Sequence, residues 1–136
     1  MIALKVLSAG LAGLMVASAL SFTLPSTAEA KDGGIAGSWS GGGTVTYSSG
    51  QRERARCHAS YSGHGSSVMM SGTCATPSGS VFQSARLRQV GANSYAGSFF
   101  NAQYNTSGSI YVTVHGNTQS VALRSSGGSA SLTLRH

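Results

Sequence analysis

Gln51-Arg52-Glu53-Arg54-Ala55-Arg56-Cys57-His58-Ala59-Ser60-Tyr61 alternates strictly: Glu53, Ala55, Cys57, Ala59 and Tyr61 share one face, and Arg52, Arg54, Arg56 and His58 the other. After the turn residues His64-Gly65-Ser66-Ser67 comes Val68-Met69-Met70-Ser71-Gly72-Thr73-Cys74-Ala75. Period-two alternation marks a half-buried strand, and two such runs across a short Gly/Ser link mark an antiparallel hairpin. A loop over His64 to Ser67 sets Gly63 opposite Val68. Tyr61 then faces Met70, and Cys57 faces Cys74. A slip of one residue would put the two cysteines on opposite faces. The hairpin and a Cys57–Cys74 disulfide therefore predict each other.

The same reading extends outward to eight strands: Gly37 to Tyr47, Gln51 to Tyr61, Val68 to Ala75, Ser80 to Val90, Ser94 to Tyr104, Ser109 to His115, Gln119 to Arg124 and Ala130 to Arg135. No helical period competes with them. The links are short and rich in Gly, Ser and Asn, so neighbouring strands run antiparallel. Ile110, Val112 and Val114 share an apolar face, as do Val121 and Leu123, Leu132 and Leu134, and Val81, Gln83, Ala85 and Leu87. Closing such a meander removes its two sheet edges. The fold class expected is all-β, a small eight-stranded up-and-down antiparallel barrel, with a β-sandwich as the runner-up. A lipid-facing outer-membrane barrel fits poorly, because the strands are short and their outward faces carry arginine.

The barrel is expected over residues 37–136. Residues 1–30 read as a secretory signal peptide: Lys5, an apolar run from Val6 through Leu24, then Ala28-Glu29-Ala30 as the cleavage site. Residues 31–36 are a flexible lead-in. No later stretch is long and apolar enough to span a membrane. The label places the working protein in the periplasm or outside the cell, where two lone cysteines oxidise to a disulfide. The core needs that staple. The chain holds 19 glycines, and a small domain with so thin a core is marginal without a cross-link.

Only 9% of the residues are charged, yet 9 Lys and Arg stand against 3 Asp and Glu, for a net +6. That balance suits an anionic partner such as an acidic polysaccharide or lipid of the envelope, or simply a soluble surface. Arg52, Arg54 and Arg56 form an outward stripe. Arg86 and Arg88, two strands on, extend it into a basic wall if the strands align, with tyrosines as stacking surfaces. Glu53 is the only acid inside the expected barrel. Facing inward, it is either one half of an ion pair or hydrogen-bond network at a barrel end, or a ligand anchor. Trp39 either plugs one end or touches a ligand. The neighbouring Gly41, Gly42 and Gly43 imply a sharp bend or bulge. They do not make a phosphate loop, since no Lys-Ser/Thr follows and no helix starts there.

The residues that catalysis would use are missing. A carboxylate pair is impossible with Glu53 alone, and a Ser-His-Asp arrangement lacks its aspartate. The cysteines lack Cys-x-x-Cys spacing and are tied to each other. His58, His64, His115 and His136 show no metal-ligand spacing. No enzyme, cofactor or metal is expected.

Gly37-Ser38-Trp39-Ser40-Gly41-Gly42-Gly43-Thr44-Val45, Glu53-Arg54-Ala55-Arg56-Cys57 and Cys74-Ala75 resemble small secreted one-disulfide β proteins of alphaproteobacteria, over most of residues 31–136. That resemblance implies a periplasmic or secreted location and no particular activity. In size and strand count the chain is similar to avidin-like and lipocalin-like barrels and to small one-disulfide barrel inhibitors of bacterial proteases. The inhibitors insert a flexible N-terminal segment into their target, and residues 31–36 would correspond. These are analogies of shape, from which function does not follow. Three functions remain: a binding protein for an anionic envelope component or small ligand, a protein-binding module of the inhibitor kind, and a structural or host-facing envelope protein.

Overall fold

The computed structural model describes residues 34–136. The signal peptide expected over 1–30, and the first half of the lead-in, lie outside the described residues. Eight strands follow one another: β1 (Gly37–Tyr47), β2 (Arg52–His64), β3 (Ser67–Thr76), β4 (Gly79–Gly91), β5 (Ser94–Asn101), β6 (Thr106–His115), β7 (Thr118–Ser125) and β8 (Gly128–Arg135). Each pairs antiparallel with the next, and β8 returns to β1 from Tyr47↔Gly128 to Ser40↔Arg135. The molecule is thus a closed barrel in sequence order, and the sandwich is excluded.

The β2–β3 hairpin has the register expected from its alternation. Gly63 pairs with Val68, Tyr61 with Met70 and Cys57 with Cys74. The two cysteines form a disulfide, their Cα atoms 4.1 Å apart. The turn is tighter than a four-residue loop, because His64 and Ser67 pair as well. Gly65, at φ +60, supplies the left-handed backbone that so tight a turn needs. Strand five ends earlier than the sequence suggests. Asn101 accepts the Tyr104 amide on its side-chain oxygen at 3.2 Å, and Asn105 sits at φ 50. Such local Asn bonds turn a chain away from its ladder, so Tyr104 lies in the β5–β6 turn rather than in a strand.

Closing a barrel requires strands that coil sharply. A Cβ added at Gly43 would strike the Ser131 carbonyl, and one at Gly97 the Arg86 carbonyl. Only glycine lets the neighbouring backbones approach so closely. The Gly41 to Gly43 run thus marks close approach of β1 to its neighbours, with the register unbroken through it, and Gly97 on β5 marks another such approach.

The two ends of the barrel differ. At the end holding the β2–β3, β4–β5 and β6–β7 turns, the interior is filled by Trp39, Tyr61, Val68, Leu87, Val112 and Leu134. Trp39 is fully buried, its Nε1 donates to the Ile35 carbonyl at 2.8 Å, and the His136 ring rests on it with centroids 4.4 Å apart. Ile35 is itself buried. The lead-in expected to be loose over 31–36 is therefore docked by its fifth residue, and the folded unit begins before Gly37. Across this end Tyr61 Oη donates to Gln119 Oε1 at 2.7 Å, joining β2 to β7 through the core. No helix among the described residues is long and apolar enough to cross a membrane.

Candidate functional site: the open mouth of the barrel

At the other end, inward positions carry small or polar side chains where large apolar ones would be needed to fill the interior. Thr76, Ser125 and Ala130 stand where the filled end has Tyr61, Leu87 and Leu134. The result is a cavity of about 430 Å³ opening between the β1–β2, β3–β4, β5–β6 and β7–β8 turns. Its deep wall is apolar: Val45, Val81, Phe99, Leu123, Ala130 and Leu132. Tyr47, Ser78, Asn101 and Tyr104 are among the polar groups of the lining. A largely apolar concavity of a few hundred Å³ with a few convergent polar groups is the usual form of a small-molecule site.

Glu53 sits at this rim and does not belong to the cavity lining. It accepts a hydrogen bond from Tyr47 Oη at 3.0 Å and another from Ser78 Oγ. The carboxylate is thus held in a hydrogen-bond network whose side-chain partners are hydroxyls. Both partners line the cavity, so the carboxylate links the β1–β2 turn to the β3–β4 turn and holds two rim side chains. The Ser78 hydrogen bond, aided by the Thr76 and Tyr47 hydroxyls, keeps the Glu53 carboxyl below its ordinary range. Burial and the adjacent carboxylate push the Tyr47 phenol above its own.

The arginines lie elsewhere. Arg52, Arg54 and Arg56 on β2, and Arg86 and Arg88 on β4, are exposed on the outer face, as alternation requires. β2 and β4 do flank β3, but the stagger separates the two groups. Arg86 aligns through Met69 with Ser62, and Arg88 through Ser67 with His64. Arg56 lies six residues before Ser62, roughly 20 Å along the strand at about 3.3 Å per residue. The single basic wall envisaged from sequence is therefore two separate arginine groups. Arg54 and Arg56 flank an open outer groove with His58 beside Gly42, and His58 Nδ1 is 2.8 Å from Ser40 Oγ. Trp39, the other ligand-contact candidate, is core at the filled end, remote from the mouth. Among the described residues no three His, Cys, Asp or Glu side chains gather as a metal site.

Sequence reasoning placed Gln83 on the inner face of β4 without marking it as a site residue. Its Oε1 is buried and has no hydrogen-bond partner. Gln83 borders both the cavity and a smaller void of about 30 Å³ deeper in the barrel, so the residue lies between the two.

No protein-family model matches the chain, and no curated protein matches it. Among solved structures the fold is similar to that of a redesigned β-barrel, mFAP1, bound to DFHBI. That match has a TM-score of 0.62 at 11% identity, over 74% of this chain and 94% of that one. The fold is also similar to that of a de novo designed fluorescence-activating β-barrel, with a TM-score of 0.58 at 14% identity, over 75% of this chain and 93% of that one. At such identities the likeness is one of fold.

Proposed function

We propose that this is a secreted or periplasmic, non-enzymatic binding protein that takes a small ligand into the open mouth of its barrel. The observation that carries the reading is the asymmetry of the interior: one end is packed around Trp39, and the other keeps a cavity of about 430 Å³ with an apolar wall and a polar rim. The disulfide suits an oxidising compartment, in line with the signal peptide and the resemblance to secreted alphaproteobacterial proteins. The cavity lining offers hydroxyls, amides and apolar side chains, and no carboxylate, imidazole or amine. A barrel of similar fold bound to DFHBI supports the reading at the level of the fold alone.

Native mass spectrometry of the protein gently isolated from its own host tests this. An adduct of a few hundred daltons, lost from an Ala130→Trp variant that fills the mouth, is the expected result. A second reading rests on exposed aromatics: Phe82 and Phe100 are 61% and 45% exposed and stand diagonally on β4 and β5. A protein-sized adduct, with the mouth empty, would move a protein-binding role ahead of the small-ligand one.

A further inference from the structure

We infer that the ligand of the mouth is uncharged, apolar over most of its surface, and carries one hydroxyl or N–H group that meets Gln83. This rests on the small-ligand reading and narrows it. None of the residues lining the cavity is an Asp, Glu, Lys, Arg or His, so a charge carried inside would be desolvated without a partner. The Glu53 carboxylate at the rim opposes an anion further, while the arginines that would attract one point outward on the far side of the barrel wall. The anionic ligand envisaged from the net charge therefore has no place in this cavity.

The polar group is argued from Gln83. A buried amide oxygen without a partner is uncommon in a folded protein and costly while it remains so. This one sits between an apolar-walled cavity and a small void. The oxygen is closed off as it stands, and a ligand donor at the inner end of the cavity satisfies it once the amide turns to meet the ligand. A hydroxyl also suits the amide turned end for end, since it both donates and accepts. The site thus combines an apolar sleeve with one fixed polar contact at its base, which orients the ligand with its polar group inward.

The experiment uses the disulfide-bonded protein and two fluorescent probes on one scaffold. N-phenyl-1-naphthylamine is neutral and has a single N–H; 8-anilinonaphthalene-1-sulfonate adds a sulfonate. The neutral probe is expected to bind one to one, at least about tenfold tighter than the sulfonate. Gln83→Leu should weaken the neutral probe about fivefold without weakening its N-methyl derivative. Ala130→Trp should abolish binding, with Ser125→Phe at the rim as a second block should the first fail to fold. Sulfonate binding as tight as that of the neutral probe, and lost in the blocked variants, would overturn the neutral-ligand inference while leaving the mouth a ligand site. Equal loss of both amines in Gln83→Leu, or no loss, would overturn the role of Gln83. No binding of either probe, or binding indifferent to both blocks, would sink the small-ligand reading itself.

Discussion

Glu53 is the one carboxylate that the barrel strands contribute, and its partners make it a pH-dependent fastening. Because its folded pKa is lowered, chiefly by the Ser78 hydroxyl, its contribution to stability is full above the ordinary glutamate value of about 4.3 and is lost as pH falls through the lowered value. Melting temperatures of the wild type and Glu53→Gln should therefore differ at pH 7 and converge in acid, below that ordinary value. A gap that persists at pH 2 would mean that the carboxylate's charge is not what holds Tyr47 and Ser78. A second residue-scale test concerns the buried Tyr61–Gln119 bond, where Gln119 Nε2 already lacks a partner. Tyr61→Phe alone strips the remaining bond from a fully buried amide and should cost about 1–3 kcal/mol. Tyr61→Phe with Gln119→Leu removes every polar atom at once and should cost less than the single change. Urea unfolding of the two singles and the double closes that cycle.

The β2–β3 hairpin was the most legible element, because alternation and two cysteines constrained the same register independently and Cys57 does face Cys74. Where only one signal was present, the reading slipped. The Phe99, Asn101 and Gln103 positions continue the alternation of β5, yet the strand stops at Asn101 because that side chain captures the Tyr104 amide. Alternation is blind to a side chain that bonds its own backbone. The mouth escaped notice for a different reason. Inward Thr76, Ser125 and Ala130 read singly as weak strand residues, and only the closed topology shows that they converge at one end. At this scale the disulfide sets a measurable quantity. Cys57→Ala with Cys74→Ala releases a cross-link of sequence separation 17, which should lower stability by about 3 kcal/mol. By thermal unfolding that is a fall of roughly 10 °C or more in Tm for a domain of this size. A much smaller loss would show that the closed ladder, through the β1–β8 pairing, holds β2 and β3 in register unaided.

Taken as a whole, the molecule separates its charge from its cavity, and the two predict opposite responses to salt. Attraction to exposed arginines such as Arg54 or Arg86 weakens as ionic strength rises, because the Debye length shrinks from about 10 Å at 0.1 M to about 3 Å at 1 M. Transfer of an apolar ligand into an uncharged cavity does not depend on that screening, and excluded salts strengthen it. Binding of a neutral probe such as N-phenyl-1-naphthylamine should therefore hold or tighten between 0.1 M and 1 M salt. Arg54→Ala and Arg86→Ala should leave it within about twofold, since neither side chain lines the mouth and exposed charges contribute little at a distance. The opposite pattern, in which affinity falls with salt and with either arginine, would place the occupied surface on the outer wall, in the groove of Arg54 and Arg56 beside Gly42. The net charge of +6 would then direct the ligand itself, and the rim hydroxyls held by Glu53 would serve only to keep the barrel's turns together.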